Sequence, residues 1–491
     1  MILLSVLAGV GLSLSFAPFS LSFLSFFLFV PIFFAIEDLS EKEAFKIGYI
    51  AGLSHFLTLL YWIPYPISKY GHVPVYISIF PYLLLCMYLS LFFGMFCWLC
   101  CKKKSSLIFY PACWVATEFL REKLLTGFPW CLLGYSQYKS LHLIQLADIV
   151  GIYGISFFII LINTSIYLAI KKEISINNIF LVLALIFLCY GYGEYKLRTP
   201  LSYRPIKAAI IQGNIDQSVK WNPIYQAKTI DTYLKLTYSV SKKRASLIVW
   251  PETSVPFYFQ DGGRFADLIY KASKKRILIL GSPAYEKKKD KFFYFNRAYL
   301  IANEKAISFY DKVHLVPFGE YVPLKKMLFF INRLVPAAGD FSPGKGIFPL
   351  RYKNISAGLM ICYEVIFPEI ARTHVKNGAN ILVNMSNDAW FGRTSAPYQH
   401  LSMAVLRAVE NRRFLIRATN TGISAFIDPC GRIITKSKIF KKQVLIANVG
   451  LVNNHKTIYC KYGDFFAYLN LLYIILVLVK HKMGYNLSHS F

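Results

Sequence analysis

The stretch SAGLMICYEVIFPEIARTHVKNGANILVN, residues 356–384, decides the fold. Ser356–Ile361 is a short apolar run of strand character, Pro368–Lys376 has helical spacing with proline in its first turn, and Ile381–Asn384 is a second apolar run. Strand, helix and strand in such close succession are the signature of an α/β layered domain. The first run ends in Cys362-Tyr363-Glu364. Side chains placed just past a strand end are held by the sheet yet reach the crevice above it.

The same texture extends outward from about Arg204 to Asn448. It predicts further strands at Lys207–Gln212, Leu247–Trp250, Ile277–Leu280, Arg297–Ile301, Gly422–Ile427 and Val444–Ala447, and helices over Pro223–Lys243, Gly263–Ala272 and Pro397–Arg412. Two more strand ends carry reactive groups, Trp250-Pro251-Glu252 and Tyr310-Asp311-Lys312. Together the three ends supply an acid, an amine and a thiol.

A thiol with a reference pKa near ~8.5 becomes a strong nucleophile once a base or cation favours its thiolate. Cys362 is the candidate nucleophile. No histidine is placed as its partner: His314 lies in a Val-His-Leu strand context and His400 inside a helical pattern. A carboxylate must then serve as base. Glu252, following an apolar strand, is desolvated and takes the thiol proton, returning it later to the leaving group. Lys312 supplies fixed positive charge where an oxyanion develops, with the Tyr363 N–H as a second donor. Taken singly these residues also fit an inert core cysteine, a helix-capping glutamate and a surface lysine; their joint occurrence favours chemistry.

Outside this domain the composition changes. Across 491 residues the hydrophobic share is 55%, the aromatic share 17%, the charged share 16% and the mean hydropathy +0.43. A soluble protein carries about 25% charged residues, so a large part of the chain is expected in lipid. Eight apolar segments are candidates for spanning helices, at 1–17, 20–36, 47–66, 76–100, 106–120, 149–170, 178–194 and 464–479. The first lacks the basic start and small-residue cleavage site of a signal peptide, which favours its retention. The predicted organisation is a helical membrane domain of about seven helices over 1–195, a catalytic domain over 204–450 and a last spanning helix over 463–480.

Lysines at 42 and 46, 102–104, 171 and 172, and 480 and 482 mark the cytoplasmic loops, which puts both termini inside and the long domain outside. The formal charge of +29 fits anionic lipid better than nucleic acid. Seven of the ten cysteines fall in or beside apolar segments and read as small hydrophobes. Cys97 and Cys100 lack the second pair that a zinc site needs; a disulfide between Cys430 and Cys460 stays open. Glu118 and Arg121 have the spacing of a helical pair, and no relay of intramembrane acids points to a transporter.

Several strings resemble the carbon–nitrogen hydrolase (nitrilase) superfamily and, within it, the apolipoprotein N-acyltransferases: IQGNI at 211–215, VWPET at 249–253, FYDKVHLVPFGEYVP at 309–323, ICYE at 361–364, VNMSNDAWFG at 383–392 and RAVENRRFLIRATNTGISAFIDPCGRI at 407–433. HLVPFGEYVP and NDAWFG are the specific ones. In the helical part, TEFLREKLLTGFPWCLLGYSQ at 117–137 is similar to the same family. The resemblance implies an αββα sandwich of the nitrilase type joined to a multi-pass α-helical domain, in the bacterial inner membrane with the catalytic domain on the periplasmic side. It places the catalytic Glu, Lys and Cys on Glu252, Lys312 and Cys362, and further functional positions on Trp221, Glu320, Tyr363 and Glu364. Glu320 would orient Lys312 or assist proton transfer; Trp221 and Tyr363 offer apolar faces to an acyl chain or simply pack. Loops leaning on the bilayer are expected at Phe257–Gly263 and Leu334–Lys345.

The implied reaction moves a fatty-acyl chain from a membrane phospholipid, through a thioester on Cys362, to the α-amine of a diacylglyceryl-modified apolipoprotein, with no cofactor and no metal. Two other readings remain open from the residues alone: a membrane-anchored C–N hydrolase using the same residues, and a scaffold or transporter with a vestigial site.

Overall fold

The computed structural model describes residues 1–71, 73–103, 106–240, 243, 245–322 and 340–488, with side chains as far as 480. The chain divides into two units. One comprises Met1–Pro64, Tyr76–Thr199 and Tyr462–Phe491; the other comprises Tyr65–Val75 and Pro200–Lys461. The short segment Tyr65–Val75, expected to belong to the membrane domain, thus sides with the sheet domain.

The sheet domain grows from alternating apolar strands. Its strands are β1 (Arg204–Gln212), β2 (Leu247–Val249), β3 (Ile277–Lys288), β4 (Lys291–Ala302), β5 (Lys305–Asp311), β6 (Leu350–Tyr352), β7 (Ile355–Ile361), β8 (Ile381–Ser386), β9 (Leu415–Thr419), β10 (Ala425–Ile427), β11 (Ile433–Lys436) and β12 (Gln443–Leu451). They form two six-stranded sheets, in the orders β12-β1-β2-β3-β4-β5 and β11-β10-β9-β8-β7-β6. Each has a parallel centre, β1-β2-β3 in one and β7-β8-β9 in the other, flanked by antiparallel strands.

Strand residues two apart share a face, and here one face of each sheet turns to the other. Ala208, Ile210, Val249, Ile279 and Leu300 meet Leu359, Ile361, Val383, Met385 and Ile416 in a single buried core. The alternate residues Ala209, Ile211, Ile248, Trp250 and Leu280 pack outward against Ile230, Tyr233, Ala266 and Ile269, from the helices Pro223–Ser239 and Arg264–Ala272. The helices Pro368–Lys376 and Ala396–Asn411 contact the second sheet. The result is the αββα arrangement expected.

Four strands escaped the sequence pattern: β5, β6, β9 and β11. β5 and β11 are mostly solvent-facing, β6 has three residues, and β9 carries the fully buried Arg417 in its middle. The predicted bilayer loop Phe257–Gly263 is tied down. Phe259 is buried, its N–H donates to Ser282 Oγ at 3.2 Å, and its ring packs on Tyr270 and Tyr299. Most of the other predicted loop, Leu334–Lys345, lies outside the described residues.

In the helical unit every predicted segment is helical over at least part of its length. Among the described residues three helices are long and apolar enough to cross a membrane: Val75–Cys100, Ala147–Ile170 and Ile176–Arg198. A fourth span results if Glu41–Leu59 and Pro64–Gly71 are counted together. Of the others, Ile2–Leu14 has 13 residues and Phe109–Lys123 has 15, while the C-terminal helix runs Phe465–Ser488. Phe29, Phe93 and Phe96 meet Trp114 edge-on at 4.8–5.0 Å and form the bundle's centre. Glu118 is spent on structure, accepting the Leu133 N–H at 2.6 Å. Along Ile176–Arg198 only Val182 and Gly193 are buried, while Phe180, Leu181, Leu183, Phe187 and Leu188 are exposed. Such an apolar surface on a 23-residue helix needs lipid around it. All ten cysteines are free, Cys430 and Cys460 included.

Candidate active site

Glu252, Lys312 and Cys362 follow the ends of β2, β5 and β7, and Asn387 follows β8. The two sheets therefore deliver these groups to one crevice. Glu252 is buried; its Oε1 accepts from Asn296 Nδ2 at 2.7 Å and its Oε2 from the Asn387 N–H at 2.8 Å. The same Asn296 amide donates to Glu320 Oε1 at 3.1 Å. Glu320 in turn holds the Lys312 ammonium at 2.7 Å and accepts the Val316 N–H at 2.8 Å.

This wiring explains the proton affinities. Burial raises the Glu252 carboxyl above its ordinary value, opposed by the Lys312 and Lys220 charges. Burial alone would lower the Lys312 ammonium, but Glu320, with Cys362 and Glu252, outweighs it and raises the pKa. The ion pair with Glu320 thus favours the charged form of Lys312. The Cys362 thiol is raised by burial and by the Glu252 charge, with Lys312 opposing. A resting thiol beside a carboxylate of raised proton affinity suits proton transfer at the moment of attack rather than a standing thiolate.

Cys362 is only partly buried. It begins the 3-10 turn Cys362–Ile366 and has φ +53°, the left-handed region that costs a non-glycine residue about 1–2 kcal/mol. Such strain turns the side chain off the strand direction and persists only where the surroundings enforce it. Ser386 Oγ lies 3.5 Å from the sulfur and donates to Asp388 Oδ1 at 2.6 Å. Asp388 is held by Arg417 at 2.8 Å and faces His400 Nδ1 at 3.1 Å. His400 Nε2 meets the Cys362 backbone oxygen at 3.2 Å, not its sulfur. The imidazole is a brace.

Glu364 is completely buried and accepts four hydrogen bonds. Its Oε1 takes Tyr310 OH at 2.9 Å, Val313 N–H at 2.7 Å and His314 N–H at 3.2 Å; its Oε2 takes the Ile361 N–H at 2.6 Å. It therefore clips the Lys312 segment to the strand end that carries Cys362. Burial pushes its carboxyl up to about 7, with these donors restraining the rise. Tyr363 packs against Phe367, ring centroids 5.2 Å apart, and is itself buried. Trp221 is 48% exposed and remains free to meet an apolar chain.

Sequence reasoning missed Lys220, Asn296, Ser386, Asn387, Asp388 and Arg417. The readable signal was polarity inside otherwise apolar strands, as at Asn296 in β4 and Arg417 in β9. A further contribution comes from the segment Tyr65–Val75. Tyr70 OH donates to the Ala389 oxygen at 3.1 Å and its ring meets Trp390 edge-on at 4.9 Å. At Gly392, φ +61°, a Cβ would lie 2.5 Å from the Tyr65 ring, so glycine is needed there for the close approach.

The chain matches the family described as "Apolipoprotein N-acyltransferase N-terminal domain" over residues 8–165 and that described as "Carbon-nitrogen hydrolase" over residues 207–458. It is 42% identical to the apolipoprotein N-acyltransferase of Geobacter metallireducens over 481 residues, 95% of this chain and 92% of the relative. It is 33% identical to the protein of the same name from Rickettsia prowazekii, across 97% of each. A carbon-nitrogen hydrolase structure from Helicobacter pylori is 20% identical, with TM-score 0.39, over 51% of this chain and 90% of that one.

Proposed function

Because this chain belongs to the apolipoprotein N-acyltransferases and is a membrane acyltransferase, we propose that it works in two half-reactions centred on Cys362. In the first, Glu252 takes the Cys362 proton as the sulfur attacks a phospholipid ester carbonyl. The tetrahedral oxyanion forms against the Lys312 ammonium and the Tyr363 N–H. Collapse breaks the ester C–O bond, and the leaving lysophospholipid oxygen receives the proton from Glu252. In the second, the α-amine of a diacylglyceryl-cysteine on an apolipoprotein attacks the thioester. Glu252 accepts the amine proton, the C–S bond breaks, and the proton returns to sulfur.

The observation that carries this reading is the burial of Glu252 and Lys312 against a partly exposed Cys362, in a chain that also has lipid-length apolar helices. A dry site slows hydrolysis of the thioester and leaves it for the amine. The distribution of lysines supports a bacterial inner-membrane location with the sheet domain on the periplasmic side. Glu320 keeps Lys312 charged and placed, Glu364 fixes the two strand ends, and Trp221 offers its face to an acyl chain.

Intact-protein mass spectrometry after incubation with phospholipid, without acceptor, tests this. Wild type gains one fatty-acyl mass, removed by hydroxylamine or by a diacylated lipopeptide, and Cys362→Ala gains none. Absence of the adduct on wild type refutes the phospholipid-donor mechanism.

A further inference from the structure

Lys220 has no role in the two half-reactions, yet it is one of the most deeply buried lysines, 2% exposed. It ends the one-turn helix Gln217–Lys220, immediately before Trp221. Its Nζ donates to Thr253 Oγ1 at 2.5 Å and lies 3.4 Å from the Glu252 backbone oxygen. Among the described residues no carboxylate oxygen lies within 4.0 Å of it. An ammonium in this setting is costly to bury, and the charges that feel it are Glu252 and Cys362.

The turn it grips is itself unusual. Thr253 has φ +43°, a conformation rare for a β-branched residue. On the other side a Cβ at Gly281 would lie 2.5 Å from the Thr253 nitrogen, so only glycine admits the turn. This strained turn aims the Glu252 carboxylate at Asn296 and at the Asn387 N–H. The Asn387 side chain donates to Gln217 Oε1 at 2.6 Å, which closes a loop of contacts from the Lys220 helix back to the base.

We propose that Lys220 is a positioning residue for the general base: its ammonium locks the Glu252–Thr253 turn and favours the ionised form of Glu252. This rests on the thioester mechanism above. The Lys312 charge favours ionised Glu252 more strongly, but its ammonium is bound to Glu320, whereas Lys220 also grips the backbone and side chain of the Glu252–Thr253 turn. The titratable and charged groups facing this pair are Lys312, Glu320 and Cys362, with Asp388 behind Cys362. Burial pushes the Lys220 ammonium down to about 8. The positioning charge is therefore present below that pH and lost as pH rises through it.

The test is the pH profile of acyl-adduct formation, followed by intact-protein mass spectrometry with phosphatidylethanolamine in detergent micelles and the full-length protein. Wild type is expected to show an acid limb from Glu252 and an alkaline limb near pH 8. Lys220→Met should slow acylation at neutral pH about 10-fold or more, move the acid limb to higher pH and abolish the alkaline limb. Lys220→Arg should restore rate and carry the alkaline limb to higher pH. Thr253→Val, which removes the acceptor and keeps the shape, should lower the alkaline limb, and it serves if Lys220→Met does not fold. A slower Lys220→Met with both limbs unmoved, or Thr253→Val with the wild-type profile, overturns the positioning role. A wild type that forms no adduct overturns the thioester mechanism instead, so the two failures are distinct.

Discussion

Replacing Glu364 with glutamine isolates the clip between the two strand ends that carry Lys312 and Cys362. The carboxylate accepts from Tyr310 OH, Val313 N–H and His314 N–H on one oxygen and from Ile361 N–H on the other. Glutamine can present its carbonyl to the three donors on the Lys312 side, but its NH2 then points at the Ile361 N–H. One buried backbone donor is orphaned and two donors collide, a loss of about 1–3 kcal/mol. Alanine would orphan all four donors, and four such penalties are comparable to the ~5–15 kcal/mol stability of a whole domain. Glu364→Ala is expected not to accumulate as folded protein. The glutamine variant is best followed by hydrogen exchange at pH 8, where the wild-type carboxylate is ionised. Peptides covering 310–314 and 358–364 should exchange roughly 5–150-fold faster than in wild type, the factor equivalent to about 1–3 kcal/mol. Acylation of Cys362 should fall with them. Wild-type exchange in both peptides would refute the clip.

Three further outcomes follow from the site. Glu252→Gln should slow thioester formation about 100- to 10,000-fold and Lys312→Met about 100- to 1,000-fold, measured as adduct per minute by mass spectrometry on the folded fraction of each protein. In wild type the acylation rate should climb with pH through the raised pKa of Glu252, since only its carboxylate accepts the thiol proton, and this climb should vanish in Glu252→Gln. Arg417→Met leaves Asp388 buried with its strongest partner gone, a cost of about 3–5 kcal/mol; thermal unfolding in detergent should show a large drop, whereas a drop of under 2 °C would rule out the proposed brace beneath Cys362.

The strand ends that carry Glu252 and Cys362 were legible because each follows an apolar run: Leu247–Val249 before Glu252, and Ile355–Ile361 before Cys362. The layered architecture was legible for the same reason, since the parallel central strands are buried on both faces and read as continuous apolar runs. Three of the four edge strands, β5, β6 and β11, gave no such signal. β5, which leads to Lys312, is mostly exposed, so its end was found through Tyr310-Asp311-Lys312 and not through a run. Glu364 looked like a group near the chemistry and proved to be a fastener, because its four donors come from segments about fifty residues apart that no local pattern connects. Lys220 reads in sequence as an ordinary basic residue. Only the fold shows that it lies under Thr253. The eight apolar segments were found, but length separated them poorly into spans: proline, glycine and polar breaks cut several to less than a bilayer's thickness.

The contact between Tyr70 and Ala389 bridges 319 positions of sequence. At translation rates of about 5–20 residues per second, the partner of Tyr70 emerges roughly 16–64 s after Tyr70 itself. During that interval the ribosome has already delivered the helices on either side of Tyr65–Val75. The contact between Tyr65–Val75 and the loop around Trp390 is therefore made late, by a segment synthesised long after its partner. A chain halted before residue 387 holds Lys220 and Glu252 but lacks the Asn387 N–H and side chain that bind Glu252 and Gln217.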